Sequence, residues 1–192
     1  MTAKRILDTL LVLAAAPLWL PLSAVVAASV AATAGLPVLF AQDRAGLGGR
    51  VFRLLKFRTM RDGDAPDAER TTRLGRFLRA TSLDELPQLL HVLSGKMSLV
   101  GPRPLPARYL PRYTPAEARR HEVRPGLTGW AQVNGRNAIS WEEKFRLDVW
   151  YVDHRSLALD AKIIFRTALK VLRREGVNSS ASETMAEFRP LE

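Results

Sequence analysis

Hydrophobic residues are unevenly distributed along this chain, with one long uncharged run near its start and amphipathic segments after it. The run covers residues 9–42 and is long enough for a membrane-spanning helix, which needs about 20 apolar residues. Pro17 and Pro21 lie near its middle, where proline bends or breaks a helix. The pattern therefore predicts two helical pieces with a break near these prolines.

Three arrangements fit this run: a cleavable signal peptide, a single span and a re-entrant hairpin. Both flanks are basic, with Lys4 and Arg5 before the run and several arginines after it. Lys and Arg favour the cytoplasmic side, so a hairpin that enters and leaves the same leaflet suits both flanks and a straight span does not. We expect a re-entrant membrane hairpin over residues 1–42 and a domain on the cytoplasmic face over residues 43–192, with a loose tail from about residue 178 to 192.

The remaining pattern predicts an α/β domain that is mainly helical and contains a small β element. Rough alternation over residues 51–60 predicts a strand, and the glycines of residues 45–49 predict a hairpin turn more strongly than a phosphate cradle. Arginines recur at helical spacing over residues 70–79, and helices are expected over residues 141–151 and 157–174. The last helix has one basic and one apolar stripe, which suits either an anionic membrane surface or a core-packed surface helix.

Composition narrows the candidate chemistry. The chain has 29 basic and 19 acidic residues, and its net charge of +10 indicates a polyanionic partner such as nucleic acid, anionic lipid or a phosphorylated substrate. Cysteine is absent, which excludes disulfides, thiolate metal sites and cysteine nucleophiles. The three histidines lie far apart without zinc-type spacing, and we assign them no role.

A pair of adjacent carboxylates, Asp84 and Glu85, stands out in these basic and apolar surroundings. One interpretation is structural: Ser82 and Glu85 form a capping box at the start of a helix that ends at Gly95. The other is functional: Asp84 is a nucleophile for an electrophilic phosphorus, and Glu85 is a metal ligand or general base beside it. The spacing alone leaves both open.

Several cations could serve such a site. Arg103 is held between two prolines, which restricts its backbone, and its planar guanidinium suits two phosphate oxygens. A polyproline connector with a solvent-facing arginine is the alternative. A second loop-rich block over residues 124–137 carries an arginine directly after an Asn-Gly turn. The candidate phosphate-binding residues are Lys56, Arg58, Arg79, Arg103 and Arg136.

Four sequence blocks taken together resemble the bacterial sugar transferase family, which are monotopic phosphoglycosyl transferases acting on undecaprenyl phosphate. The resemblance runs from about Lys4 to about Val177 and suits the short form of the family. The run Asn134–Trp141 is most similar to members that transfer N,N'-diacetylbacillosamine 1-phosphate in protein glycosylation. The four blocks are Lys56-Phe57-Arg58-Thr59-Met60, Ser82-Leu83-Asp84-Glu85-Leu86-Pro87-Gln88, Met97-Ser98-Leu99-Val100-Gly101-Pro102-Arg103-Pro104 and Arg124-Pro125-Gly126-Leu127-Thr128-Gly129-Trp130-Ala131-Gln132-Val133-Asn134-Gly135-Arg136.

The resemblance implies a ping-pong reaction in which Asp84 attacks the β-phosphorus of a UDP-sugar and releases UMP. Undecaprenyl phosphate then attacks the aspartyl phosphosugar. The resemblance also implies Mg²⁺ as cofactor with Asp84 and Glu85 as its ligands, and phosphate or nucleotide contacts from Arg79, Arg103 and Arg136. The resemblance places the membrane bend at Leu20 and Pro21. This pair is a departure from the family pattern, because the family's hairpin often breaks at Ser-Pro.

The same resemblance implies a bacterial inner membrane location, with the catalytic domain on the cytoplasmic face. Expected partners are a UDP-sugar, undecaprenyl phosphate, the anionic membrane and downstream glycosyltransferases, but no nucleic acid. Two other functions remain alternatives: a membrane-tethered nucleic-acid binder, suggested by the charge, and a non-catalytic scaffold for pathway enzymes.

Overall fold

A computed structural model describes residues 3–135, 139–172 and 187–188 of the chain. Over these residues the chain is mainly helical with small sheets, which confirms the predicted α/β, mainly helical class in its coarse form. The helices are α1 (Ala3–Ala14), α2 (Ala16–Ala34), α3 (Asp67–Arg70), α4 (Arg73–Thr81), α5 (Gln88–Leu93), α6 (Pro115–Ala118), α7 (Trp130–Asn134), α8 (Trp141–His154) and α9 (Leu157–Leu172). The strands are β1 (Leu39–Ala45), β2 (Val51–Phe57), β3 (Ser98–Val100) and β4 (Gly126–Thr128). Short 3₁₀ helices cover Leu47–Gly49, Leu83–Glu85, Ala107–Arg112 and Arg119–Glu122.

The two N-terminal helices are separated at Ala15, before the Leu20-Pro21 step that the sequence predicts as the bend. Pro17 lies in the first turn of α2 and Pro21 lies inside that helix. A proline has no amide hydrogen and its ring clashes with the carbonyl four residues earlier, so Pro17 accounts for an interruption near Ala15. Helix α2 is long and apolar enough to cross a membrane, but its path relative to a membrane stays a prediction.

Helix α1 is anchored to the rest of the fold by a buried polar network. The Lys4 ammonium donates to Asp160 Oδ2 at 2.6 Å, and the Tyr151 hydroxyl donates to Asp160 Oδ1 at 2.7 Å. The Ser98 hydroxyl donates to Asp8 Oδ2 at 2.6 Å. Asp8 and Asp160 are both buried, so these partners offset the cost of removing two carboxylates from water. We call these five residues the α1 anchor network.

The second basic residue of α1 is also engaged. Arg5 donates to the backbone carbonyls of Val92 and Leu93, the latter at 2.7 Å, at the C-terminal end of α5. A cation at this position satisfies carbonyls that have no partner within the helix and complements the helix dipole. Lys4 and Arg5, interpreted in the sequence as topology signals, therefore also fasten α1 to the domain.

Apolar packing continues across the predicted boundary between residues 42 and 43, which falls inside β1. Val12 and Trp19 share one buried cluster with Leu54, Val92 and Met97, and Val26 and Val30 share another with Phe57 and Leu78. The outward faces of α1 and α2 are also apolar, which is unusual for a surface in water. Their exposed side chains are Ile6, Leu7, Leu10, Leu11, Leu13, Leu18, Leu20, Leu22 and Val25.

Strands β1 and β2 form an antiparallel hairpin, with the register running from Leu39 opposite Phe57 to Ala45 opposite Val51. Residues 46–49 close the hairpin, which confirms the predicted glycine-rich turn. At the other edge of β2, the Leu55 amide donates to the imidazole of a buried histidine of α5, at 3.1 Å. Strand β1 was not predicted from the sequence, because the first residues of this strand belong to the uncharged run, which was interpreted as part of the membrane hairpin.

The predicted C-terminal helices are confirmed as α8 and α9, and residues 173–174 lie outside the described residues. In α9, Ile163 is buried in the core, whereas Ile164 and Phe165 face outward, with Phe165 64% exposed. The predicted apolar stripe is therefore not the face that packs on the core. In α8, Tyr151 is buried in the core and Trp141 packs against a second buried cluster.

The α1 anchor network yields a stability prediction. Replacing Asp160 with Ala leaves the Lys4 ammonium and the Tyr151 hydroxyl without their shared acceptor, and we expect a loss of about 2–3 kcal/mol. The loss is measured from thermal or denaturant unfolding of the purified protein in lipid nanodiscs. The matched control is Asp153→Ala, which removes a solvent-exposed ion pair with Arg119 and should destabilise the protein far less. Equal losses in the two variants would contradict a special role for the network.

Candidate active site

Ser82 does not begin the helix that follows Asp84 and Glu85. It lies in the left-handed region, with φ 57°, and ends α4, and its side chain caps nothing. The two acids lie on the 3₁₀ helix Leu83–Glu85 that follows. The capping-box interpretation is therefore wrong, because the Ser82 backbone turns the chain sharply there and the Glu85 side chain binds cations elsewhere.

Glu85 is the centre of the charge cluster. Its Oε1 atom accepts from Lys56 Nζ at 2.7 Å and from Arg103 Nη2 at 2.7 Å. Asp84 is only 7% exposed, and its Oδ2 atom lies 3.8 Å from Lys56 Nζ, beyond hydrogen-bonding distance. The tertiary structure thus brings together two of the predicted cations and both predicted carboxylates.

Arg103 reaches Glu85 because two loop segments of the sequence pair with each other. Strands β3 and β4 are parallel, with Ser98 opposite Gly126, and the backbones of Gly101 and Gly126 approach closely. A Cβ atom on Gly126 would lie 2.1 Å from the Gly101 amide nitrogen, so this approach requires glycine. The alternative of a solvent-facing connector arginine is wrong: the Arg103 side chain is half-exposed, and its guanidinium binds Glu85.

Arg79 lies on α4 near the same carboxylates. Thr72 caps this helix by accepting from the Gly75 amide at 2.8 Å. Gly75 packs directly against the Thr59 backbone, where a Cβ atom would lie 1.9 Å from the carbonyl oxygen. The Arg79 Nε atom donates to Thr59 Oγ1 at 2.9 Å, and its charge lowers the pKa of Asp84. Arg79 therefore belongs to the cluster without an ion pair to either acid among the described residues.

The other two candidate cations lie elsewhere or outside the description. Arg58 is buried, pairs with Asp62 at 3.0 Å and donates to the Ala34 carbonyl at the end of α2. The structure therefore places it at the base of the N-terminal helices and not beside Asp84. Arg136 lies outside the described residues.

Sequence reasoning missed Arg44 as a site residue. Its Nη1 atom donates to the Pro104 carbonyl at 3.0 Å, and burial followed by repulsion from Arg103 lowers its pKa to about 10. Its location among the basic residues after the uncharged run was interpreted only as a topology signal.

Arg120 and Asp148 were also missed. Their side chains form a fully buried ion pair at 2.7 Å, and Arg120 donates to the Arg103 backbone carbonyl at 2.8 Å. No local pattern in the sequence distinguishes these two residues, because their pairing joins elements 28 residues apart.

The environment separates the pKa values of the two acids. Burial is the main cause that raises the pKa of Asp84 to about 6; the charge of Glu85 also raises this pKa, and Lys56, Arg103 and Arg79 lower it without cancelling the effect of burial. Burial alone would raise the pKa of Glu85 as well, but Arg103 and Lys56 outweigh burial and hold it well below its usual range. Glu85 therefore stays ionised as the anchor of the cations, and Asp84 is the acid whose protonation can change near neutral pH.

The carboxylate oxygens of Asp84 and Glu85 suit a divalent cation only when a bound phosphorylated molecule supplies further ligands. Within residues 3–135, 139–172 and 187–188, no cluster of three or more His, Asp or Glu side chains could hold a metal by itself. Two adjacent carboxylates are nevertheless the protein share of a typical Mg²⁺ site in which phosphate oxygens supply further ligands. A buried carboxylate surrounded by Lys56, Arg79 and Arg103 can therefore act on a phosphorylated, anionic molecule.

Sequence comparison places this chain among known proteins. The family model described as "Bacterial sugar transferase" matches residues 1–174. The chain is similar to the uncharacterized sugar transferase EpsL of Bacillus subtilis (58% identity, covering 80% of this chain and 79% of that protein). It is also similar to two proteins named UDP-glucose:undecaprenyl-phosphate glucose-1-phosphate transferase, each 43% identical over 88% of this chain. The match covers 39% of the Xanthomonas campestris protein and 69% of the Caulobacter vibrioides protein.

The family match covers most of the chain and includes every element that carries the site, from β2 through α5 to β4. On this basis the chain belongs to the bacterial sugar transferase family.

Proposed function

We propose that this chain transfers a sugar 1-phosphate from a UDP-sugar to undecaprenyl phosphate, giving undecaprenyl-diphosphate-sugar and UMP. The observation that carries the proposal is the buried Asp84 carboxylate, next to a Glu85 that is bound by Lys56 and Arg103. The names of the Xanthomonas and Caulobacter relatives support the same donor and acceptor classes. The transferred sugar is left open, because small changes in a pocket alter sugar choice.

In the first step, an Asp84 oxygen attacks the β-phosphorus of the donor. The bond from this phosphorus to the bridging oxygen breaks, its electron pair leaves with UMP, and an aspartyl phosphosugar forms. Asp84 suits this role because its Oδ2 atom is beyond hydrogen-bonding distance of Lys56. Glu85 is a poorer nucleophile than Asp84, because two cations already bind its Oε1 atom.

In the second step, an oxygen of undecaprenyl phosphate attacks the same phosphorus and the Asp84 carboxylate leaves. Lys56, Arg79 and Arg103 provide positive charge around the phosphoryl group in both steps, where negative charge develops. Arg103 is suited to a diphosphate because its planar guanidinium can bind two oxygens at once.

We propose Mg²⁺ as the cofactor, which Asp84 and Glu85 would hold together with the phosphates of the donor. Hard carboxylate oxygens match the preference of this ion, and a bound cation would offset the burial and the repulsion from Glu85 that raise the pKa of Asp84. When bound, the ion would neutralise charge on the diphosphate.

We further propose that α1 and α2 enter and leave one leaflet of the bacterial inner membrane, with the domain on the cytoplasmic face. The polar end of α1 supports this, because Lys4 and Arg5 both contact the domain that follows α2. The apolar outward faces of α1 and α2 and the exposed Ile164 and Phe165 of α9 would then meet lipid.

The alternatives of a nucleic-acid binder and a scaffold explain less. Neither function needs a buried Asp84 carboxylate beside a Glu85 that binds two cations. Burial of such groups is costly and is usually retained for chemistry.

The function is tested by mixing the protein, undecaprenyl phosphate and Mg²⁺ with a panel of UDP-sugars and measuring UMP. We expect one or a few donors to release UMP, and mass spectrometry to find a phosphosugar on Asp84 when the lipid is omitted. Asp84→Asn should lower UMP release by about a thousandfold or more, because it removes the nucleophile. The control is Asp62→Asn, which changes an exposed carboxylate and should leave the rate within about twofold. Full turnover by Asp84→Asn would contradict the covalent mechanism.

The pH dependence of kcat/KM follows from the raised pKa of Asp84. Protonated Asp84 is not a nucleophile, so activity should fall as the pH drops below about 6, not near the usual carboxyl pKa of about 4. Lys56→Gln should move this acid limb to higher pH, because Lys56 lowers the pKa of Asp84. Arg73→Gln, an exposed change on α4, is the control and should leave the limb in place. An acid limb near pH 4 would refute the assignment.

Membrane topology is tested with single cysteines, which the cysteine-free chain makes unambiguous. A membrane-impermeant maleimide should label Ala3→Cys and Asp64→Cys in inverted vesicles and neither in intact spheroplasts. Leu18→Cys should be labelled poorly in both preparations, because a thiol in lipid is shielded from this reagent. Labelling of Ala3→Cys in spheroplasts would instead indicate a span.

A further inference from the structure

Two described residues near the C-terminus, Glu187 and Phe188, dock on the catalytic domain. Phe188, within the stretch predicted as a loose tail, is only 5% exposed. Its ring packs at 5.0–5.7 Å between centroids against four aromatic rings, which we call the aromatic pocket: Tyr109, Tyr113, Trp141 and Phe145.

Polar contacts fix the backbone and the preceding side chain at the same place. Arg112 Nη1 donates to the Phe188 carbonyl at 2.6 Å and to Glu187 Oε1 at 3.0 Å. Arg108 Nε lies 3.3 Å from the same Glu187 oxygen. An aromatic side chain in a pocket beside an acid between two arginines is a specific docking arrangement, unlike an apolar residue resting on a surface.

The aromatic pocket is also the support of Arg120. The Arg120 guanidinium lies over Tyr113 at 5.8 Å and over Phe145 at 5.5 Å from the ring centroids. Phe188 stacks on Tyr113 and meets Phe145 edge to face, so it covers both rings that hold this cation. Without Phe188, these rings would have to repack around the buried Arg120–Asp148 pair.

Arg120 in turn holds the backbone of Arg103. Its Nη2 atom donates to the Arg103 carbonyl at 2.8 Å, and Arg103 donates to Glu85 at 2.7 Å. Direct contacts therefore run from Phe188 through the aromatic pocket and Arg120 to the carboxylates of the site.

We propose that Glu187 and Phe188 are a docked tail segment that holds Arg103 in place at the active site, which makes Phe188 a positioning residue for phosphosugar transfer. This inference rests on the proposed function for its kinetic consequence, but the docking itself does not. Glu187 contributes little, because its ion pairs are half-exposed, and the ring of Phe188 contributes most.

The kinetic test is a double-mutant cycle in the full chain. Phe188→Ala should lower kcat/KM for UMP release by about threefold to thirtyfold, the usual range for coupling through packed side chains. In an Arg103→Ala background the same change should cost less than about twofold, because the group that it positions is gone. Single-turnover formation of the Asp84 adduct keeps slow variants measurable.

Two variants separate positioning from general destabilisation. Phe188→Tyr keeps the ring and should restore kcat/KM to within about threefold of the wild type, and Glu187→Gln should change it by less than about twofold. If Phe188→Ala does not fold, Phe188→Leu replaces it, since leucine keeps apolar burial and loses the ring contacts. Equal losses in the wild-type and Arg103→Ala backgrounds, or unchanged kinetics in Phe188→Ala, overturn the proposal.

Docking of the tail segment is measured by peptide binding, which needs no enzymatic turnover. A fluorescent peptide of residues 183–192 should bind the full-length Phe188→Ala protein saturably, as read by anisotropy, and the same peptide with Ala at 188 should not. Failure of the first peptide to bind overturns the docking. If wild-type protein releases no UMP from any donor, the proposed function fails, while this assay still decides whether the tail docks.

Discussion

The site depends on how one buried carboxylate is neutralised. Two adjacent acids in a largely buried place repel each other and lose hydration, which is costly unless cations compensate. Glu85 solves this by accepting from Lys56 and Arg103 through one oxygen atom, with both distances at 2.7 Å. Because these cations come from β2 and from the loop after β3, the contact also joins two parts of the fold that are distant in sequence.

The same contact divides the roles of the two acids. Cations hold Glu85 ionised, whereas burial and the Glu85 charge raise the pKa of Asp84 to about 6. Pairs of titratable groups with pKa values pushed apart are typical of sites where one group anchors and the other reacts. The difference arises from partners, since both side chains are carboxylates on one short helix.

The site and the N-terminal helices share their supports. Phe57 follows Lys56 on β2 and packs with Val26 and Val30 of α2, while Leu78 of α4 belongs to the same cluster. The α1 anchor network holds the other helix through Asp160 on α9. The charge cluster therefore lies at the junction between the apolar N-terminal helices and the cationic segments of the domain.

The sequence by itself determined those features that depend on near neighbours. Helical spacing predicted α4, α8 and α9, and glycines predicted the hairpin turn. An isolated acid pair and a nearby arginine predicted the carboxylates and one of the cations that meet in the charge cluster. Only the tertiary structure decided which partner each group takes: Ser82 ends a helix instead of starting one, Arg58 binds the end of α2, and Arg44 and Arg120 reach Arg103 and the loop that carries it. These partners belong to segments tens of residues apart in the sequence, so local spacing does not predict them. A buried charge without a partner is costly, and this cost selects the partner in the folded chain.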